Sequence, residues 1–97
     1  MFTYISLLNF TEKGIQSVKD SPKRAAAAKE VGKKFGVNMR EIYWTMGDHD
    51  LVCVLEADNE AAITAFSLAV AQQGNVRSKS LRAFTASEME TVLGKLP

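Results

Sequence analysis

The chain has one histidine, His49, and it lies between two aspartates, Asp48 and Asp50. An imidazole titrates near neutral pH, so this side chain is suited to be a general base or a hydrogen-bond anchor for an organic ligand. The structural alternative is an imidazole that packs on Trp44 and hydrogen-bonds to nearby polar groups. His49 is therefore the candidate catalytic residue, with both interpretations open.

Chemistries that need several converging donors have less support in the sequence. Alternation along a strand sends His49 to the opposite side from Asp48 and Asp50, and no second histidine is present to complete a metal site. Cys53 is the only cysteine, which excludes a disulfide framework and a CxxC site. It lies mid-strand between two valines, where a buried thiol behaves as a small hydrophobe. We predict no metal and no cofactor.

Composition narrows the class of protein without indicating a chemistry. The 97 residues are 46% hydrophobic and 24% charged, as expected for one ordinary globular domain. Twelve Lys and Arg against eleven Asp and Glu leave a net charge of +1, which argues against a dedicated nucleic-acid or membrane-surface binder. Polar residues interrupt the apolar N-terminal stretch, so we predict neither a signal peptide nor a membrane span, and a cytoplasmic location.

The charges are segregated along the chain. Residues 12–41 carry an excess of basic side chains, residues 48–60 carry only acidic ones, and residues 77–95 are again basic in balance. Opposite blocks on one small surface can guide self-association, and the plainer interpretation is solvated helix and loop surfaces.

Hydrophobic alternation and helix caps predict the order β-α-β-β-α-β followed by a terminal helix. The predicted strands are Phe2–Leu8, Val37–Met46, His49–Ala57 and Val76–Phe84. The predicted helix boundaries are Thr11, Ser21-Pro22, Gly36, Asp58 or Asn59, Gly74-Asn75, and a capping box at Thr85 and Glu88. The fold class is α+β: a single domain over residues 1–97, with a ferredoxin-like four-stranded antiparallel sheet and an extra C-terminal helix.

The central hairpin fixes which residues would share a face of the sheet. A two-residue turn at Gly47-Asp48 would pair Trp44 with Leu51. The face predicted to lie under the helices carries Ile42, Trp44, Met46, His49, Leu51, Cys53 and Leu55. The face predicted to be uncovered carries Met39, Glu41, Tyr43, Thr45, Asp50, Val52, Val54 and Glu56. A one-residue bulge would exchange these assignments.

Residues of the first and fourth strands are predicted to share the uncovered face. They are Tyr4, Ser6, Ser78, Ser80 and Arg82. Arg82 would then pair with Glu56 or Glu41, either at an interface with a second subunit or in a polar cavity.

Five segments carry a family resemblance. They are Tyr4-Ile5-Ser6-Leu7, Thr11-Glu12-Lys13-Gly14-Ile15, Lys19-Asp20-Ser21-Pro22-Lys23-Arg24, Thr45-Met46-Gly47-Asp48-His49-Asp50-Leu51-Val52, and Gly74-Asn75-Val76-Arg77 with Leu81-Arg82-Ala83-Phe84. In order and spacing they resemble the GYD domain family. The resemblance implies a dimeric α/β barrel, in which two ferredoxin-like sheets face each other in a homodimer or dimer-based oligomer. It implies little about activity, because the family is known chiefly as a domain of unassigned function.

One departure falls on the motif that names the family. The pattern Gly-x-Tyr-Asp stands here as Gly47-Asp48-His49-Asp50, with histidine in the place of tyrosine. A similar hairpin occurs in the ligand-sensing domains of leucine-responsive regulators. We therefore expect the glycine to supply a positive-φ turn and the aspartate to cap backbone N–H groups.

The leading hypothesis is a homodimer that binds a small organic ligand between sheet and helices and has no nucleic-acid or membrane partner. The predicted ligand-binding residues are Tyr43, Trp44, Met46, Asp48, His49 and Asp50. Whether the protein is an enzyme stays open. If it is, cofactor-free proton-transfer or monooxygenase-type chemistry is expected. The alternative is a non-catalytic oligomerisation or ligand-sensing module.

Overall fold

The computed structural model describes residues 1–97 as a four-stranded antiparallel sheet with helices packed on one face. The strands are β1 (Phe2–Phe10), β2 (Val37–Trp44), β3 (Leu51–Ala57) and β4 (Val76–Ala83), in the order β2-β3-β1-β4. The helices are α1 (Glu12–Gln16), α2 (Ser21–Phe35), α3 (Glu60–Gln72) and α4 (Ala86–Leu93), with a 3-10 turn at Val18–Asp20. The predicted α+β, ferredoxin-like class is confirmed. None of the helices has the length and apolar character needed to cross a membrane.

Strand β1 lies in the middle of the sheet and pairs with β3 on one side and β4 on the other. Alternate residues of a strand point to opposite faces. Ser6 and Leu8 are buried beneath the helices together with their cross-strand partners on β3, Cys53 and Leu51. The intervening residues of β1 point to the face that no helix covers.

The core lies between the sheet and helices α2 and α3. Helix α3 contributes Ile63 and Phe66, which lie three residues apart on one side of the helix and are both 2% exposed. Phe66 packs against Phe35 of α2, with ring centroids 6.3 Å apart. Helix α2 ends at Gly36, whose φ of 77° is the left-handed conformation that glycine adopts without strain. Burying each large side chain here stabilises the fold by about 1.5–3 kcal/mol.

A β-bulge in β2 makes the predicted face of Met39 wrong. Met39 pairs with Leu55 and Glu41 pairs with the adjacent residue Val54, so Arg40 is an extra residue in the ladder. One extra residue shifts the alternation by one, which turns the part of β2 before the bulge toward the helices. Met39 is therefore a core residue, 6% exposed, and does not lie on the uncovered face.

The residues of β1 and β4 that were predicted to lie on the uncovered face lie on the helix side. Ser6 pairs with Ser80 on β4 and with the buried Cys53 on β3. These pairs determine which residues of the three strands share the helix-covered face. The misplaced residues are Tyr4, Ser6, Ser78, Ser80 and Arg82.

The uncovered face has an apolar centre and charged edges. Two rows of cross-strand neighbours run over it, each beginning on β2 and ending on β4. The rows are Glu41-Val54-Ile5-Leu81 and Tyr43-Val52-Leu7-Lys79.

Arg82 does not pair with Glu56 or Glu41, so that prediction is also wrong. Its guanidinium lies over the rings of Phe2 and Phe84, 4.9 and 4.5 Å from their centroids, and its Nη2 is 3.8 Å from Glu88 Oε2. Glu56 instead accepts from Arg40, with Nη1 and Oε2 3.1 Å apart. Arg82 thus joins the end of the sheet to α4 through stacking on aromatic faces and an ion pair.

Helix α4 begins with the predicted capping box. Thr85 Oγ1 accepts from the Glu88 N–H, and a carboxylate oxygen of Glu88 accepts from the Thr85 N–H. These hydrogen bonds and nearby Arg82 lower the pKa of the Glu88 carboxyl. Beyond the cap the helix leaves its apolar side exposed, on Met89, Val92, Leu93 and, past its end, Leu96.

Candidate functional site

Residues 45–50 connect β2 to β3 at the end of the sheet where β1 finishes. The strands pair up to Trp44 and Leu51, as the predicted register requires. Beyond that pair, the Thr45 N–H donates to the Asp50 carbonyl at 2.8 Å, and the Thr45 hydroxyl donates to the His49 carbonyl. Gly47 has a φ of 112°, which confirms the prediction that a glycine is needed at this turn.

Asp50 fastens this connection to the end of β1. Its backbone N–H donates to the Leu8 carbonyl at 2.8 Å, and its carboxylate Oδ2 accepts from the Phe10 N–H at 2.9 Å. Both bonds satisfy backbone groups that the ladder leaves free at this point. The expectation that the aspartate of the motif caps backbone N–H groups is confirmed.

His49 is held by Asn9 of β1. The Asn9 amide Nδ2 donates to the Asp48 carbonyl at 2.8 Å, so its Oδ1 is the acceptor that lies 3.0 Å from His49 Nδ1. Nδ1 therefore carries a hydrogen, and Nε2 of the neutral ring keeps its lone pair. The imidazole can accept a proton or a hydrogen bond at Nε2.

The six residues predicted to bind a ligand do not converge on one point. Met46 is 99% exposed, and Tyr43 points to the uncovered face. Trp44 lies on the helix side, where its indole N–H donates to Ser21 Oγ at 2.9 Å. Asp48, His49 and Asp50 follow in the connection, and Asp48 is exposed. A ligand-binding role for these six residues stays a prediction.

A cavity of about 310 Å³ lies between the sheet and helices α2 and α3. Its lining comprises 23 residues, of which 16 are hydrophobic, and includes none of the six predicted ligand residues. Strands β1 and β3 supply its floor with Ser6, Leu8, Cys53 and Leu55. The expected space between sheet and helices is therefore present, but other residues enclose it.

Small side chains on the two helices leave this space open. They are Ala25, Ala27, Ala28, Ser67, Ala69 and Ala71. The run of alanines in α2 is visible in the sequence and predicts close packing on the sheet. Phe35 meets Phe66 at one end of α2, and Trp44 of β2 bonds to Ser21 at the other end, but the alanines between them are too short to fill the gap. The run of small residues in the sequence is thus related to the cavity. Whether such residues touch the sheet or leave a cavity depends on how far apart α2 and α3 lie.

Cys53 lines this cavity as a protonated thiol. Burial raises its pKa to about 11, because the thiolate would lose its hydration. The interpretation of Cys53 as a buried small hydrophobe is in keeping with its 4% exposure. No group of three His, Cys, Asp or Glu side chains comes close enough together to hold a metal ion.

We predict that Asp50→Ala lowers the free energy of unfolding by about 1.5–3 kcal/mol, because the Phe10 N–H loses a charged acceptor. Urea unfolding followed by circular dichroism measures this change. The matched control is Asp48→Ala, whose exposed carboxylate accepts no hydrogen bond from the protein and whose loss should change stability by no more than about 0.5 kcal/mol. Equal effects of the two substitutions would contradict the anchoring role of Asp50.

The chain is similar to proteins of known structure that share its fold. A feast or famine regulatory protein of Mycobacterium tuberculosis, complexed with L-methionine, has a TM-score of 0.68 at 14% identity over 89% of this chain. A leucine response regulatory protein of the same organism gives 0.66 at 14% identity over 88% of this chain. The chain spans about half the length of both regulators, 52% and 51%. A protein of Thermus thermophilus gives 0.58 at 20% identity, over 89% of this chain and 96% of its own. At these identities the likeness concerns the fold alone.

Sequence similarity is more specific. The chain is 29% identical over 90 residues to a Thermus thermophilus protein named glutamine synthetase and cystathionine beta-lyase binding protein. That alignment covers 92% of this chain and 95% of the relative. The GYD domain matches residues 4–93. Because this match spans nearly the whole chain, the protein belongs to the GYD domain family.

Proposed function

We propose that this chain is a homodimeric binding module that holds a small organic ligand between its sheet and its helices. The cavity of about 310 Å³ is the observation that carries the proposal. Its size lies at the lower end of the range for small-molecule sites, and its mostly apolar wall with a few polar groups is typical of them.

The composition of the cavity wall favours binding over chemistry. The seven polar lining residues are four serines, two amides and one arginine. The thiol of Cys53, with its pKa of about 11, stays protonated at neutral pH and is a poor nucleophile. His49, the candidate general base, lies outside the wall in the connection between β2 and β3. We therefore prefer the non-catalytic interpretation of the family resemblance.

Occupancy of the cavity can be tested with N-phenyl-1-naphthylamine, an uncharged apolar fluorophore. We predict that the protein binds it with a rise in fluorescence, and that Ala28→Leu, which fills the cavity, weakens binding by at least about tenfold. The control Ala65→Leu adds the same side chain at an exposed position of α3 outside the lining and should leave the affinity unchanged. No binding of this probe or of its anionic analogue 8-anilinonaphthalene-1-sulfonate, or equal weakening by both substitutions, would overturn the ligand proposal.

We infer the homodimer from the uncovered face of the sheet. Its centre is formed by Ile5, Leu7, Val52 and Val54, all only partly exposed in a single chain, and Leu81 beside them is 51% exposed. An apolar patch rimmed by polar residues is typical of a protein–protein interface. We take a second copy of the chain as the partner that covers this patch, because a two-fold interface joins the same surface of both copies.

The charges at the edges of this face favour one orientation of the two copies. Glu41 lies on edge strand β2, and Arg77 and Lys79 lie on edge strand β4. A two-fold axis parallel to the strands places β2 of one copy over β4 of the other, so Glu41 meets the basic edge of the second copy. An axis perpendicular to the strands would place like charges together, which is unfavourable.

We predict that Leu81→Glu weakens dimerisation by at least about thirtyfold, because it places a carboxylate in the apolar patch and opposite Glu41 of the second copy. Sedimentation velocity across a range of concentrations measures the dissociation constant. Leu68→Glu is the matched control, since Leu68 is 63% exposed on α3, away from the uncovered face, and should leave the dimer intact. A wild-type chain that sediments as a monomer, or two variants that dissociate equally, would contradict the proposed interface.

A second candidate function is the docking of an enzyme, favoured by the exposed apolar side of α4. Met89, Val92, Leu93 and Leu96 recur at helical spacing on this side. The relative from Thermus thermophilus is named for binding glutamine synthetase and cystathionine beta-lyase. Amphipathic helices present such spacing to a groove in a partner protein.

The occupant to test is glutamine synthetase from the organism that encodes this chain. We predict that immobilised protein binds it and that Leu93→Glu weakens this binding by at least about tenfold, through loss of an apolar anchor. Thr91→Glu is the control, because Thr91 is exposed and lies on the opposite side of α4. Absence of binding, or equal sensitivity at both positions, would remove this second candidate.

A further inference from the structure

The wall of the sheet–helix cavity carries one charged side chain. This is Arg24, in the first two turns of α2, and no aspartate or glutamate lines the cavity. A cavity with an apolar wall and a single positive charge favours a ligand with an apolar body and one negative charge, since a buried charge must be paired.

The guanidinium of Arg24 has donors to spare. Nη1 donates to the carbonyl and the hydroxyl of Ser17, at 2.9 and 3.1 Å, and Nη2 donates to the Gly14 carbonyl at 3.2 Å. No carboxylate forms an ion pair with it. An arginine has five N–H donors, so Nε and one hydrogen of Nη2 are available to an added acceptor. These contacts also fix the side chain, so little conformational freedom is lost on binding.

Two neighbouring features favour a negative charge at the same end of the cavity. Ser21 lines the cavity, is 5% exposed, and uses its Oγ to accept from the Trp44 indole, which leaves its own hydroxyl hydrogen to donate. Ser21 also begins α2, a helix of 15 residues with no acidic residue in its first turn and no side-chain cap from Asp20. A negative charge at this end of the cavity would lie near the positive end of the helix dipole, where the Asp20 side chain makes no capping hydrogen bond.

We propose that the cavity takes a small molecule with an apolar body and one anionic end, such as a carboxylate. The anionic end lies at Arg24 and Ser21, and the apolar body extends along the alanines of α2 toward Cys53 and Phe66. The inference rests on the proposed ligand-binding function and specifies the chemical class of its ligand.

Two fluorophores that share the same ring system test the anionic class of the ligand separately from the proposed ligand binding. 8-Anilinonaphthalene-1-sulfonate carries an anionic group, and N-phenyl-1-naphthylamine lacks it. For the wild-type protein we expect the anionic probe to bind about tenfold more tightly, as one charge-assisted contact supplies. Binding of neither probe would overturn the proposed function itself. Equal binding of both, or tighter binding of the neutral probe, would overturn only the anionic class.

Substitutions then locate the charge. We expect Arg24→Met to remove the preference for the anionic probe and leave the affinity for the neutral probe within about twofold, and Arg24→Lys to retain much of the preference. The matched control is Lys23→Met, which removes one charge from an exposed neighbour outside the cavity wall and should keep the preference. A preference that Lys23→Met abolishes as fully as Arg24→Met would overturn the assignment to Arg24.

Because Arg24 also holds Ser17 and Gly14, the wild-type protein provides a test that needs no substitution. Raising the salt concentration should weaken the binding of the anionic probe and leave the affinity of the neutral probe unchanged, since salt screens only the charged contact. Identical salt dependence of the two probes would overturn the anionic class even if Arg24→Met failed to fold.

Discussion

Helices α2 and α3 lie against a four-stranded sheet, and they can cover only one of its two faces. The apolar residues of the central strands alternate between the faces, so half of them have no partner within the chain. Only 13 of the 97 residues are buried, and the radius of gyration of 14.6 Å exceeds the value of about 12.5 Å typical of a compact domain of this length. The homodimer that we propose would cover these apolar residues with a second copy of the same face.

The motif that names the family has an architectural role in this chain. Gly47 supplies the turn, and Asp50 and Asn9 fasten the connection between β2 and β3 to the end of β1. The replacement of tyrosine by His49 is accommodated by one hydrogen bond to Asn9, in a place that does not contact the cavity. The connection thus ties β2 and β3 to the end of β1. The cavity lies elsewhere, where small residues on α2 and α3 do not fill the layer between helices and sheet.

Local sequence rules predicted the elements well, because caps, glycine stops and helical spacing act within a few residues. The order of elements and the capping box at Thr85 follow from such rules. The predictions failed where the pairing of residues far apart in the sequence determines which face a side chain lies on. Because of the bulge at Arg40, the residues of β2 that precede it lie on the opposite face from the one predicted. Arg82 lies on the helix side because β4 pairs with β1 in the register that places it opposite Tyr4. The residues that line the cavity could not be predicted either, since they depend on how far apart α2 and α3 lie.

We propose that the single chain is half of a functional unit that is closed by its uncovered sheet face. Small-angle X-ray scattering tests it most directly, because forward scattering gives mass and the angular dependence gives size in one experiment. We expect a mass of twice 10.6 kDa and a radius of gyration clearly above the 14.6 Å of the single chain. A mass of 10.6 kDa with a radius near 14.6 Å at every concentration would contradict it.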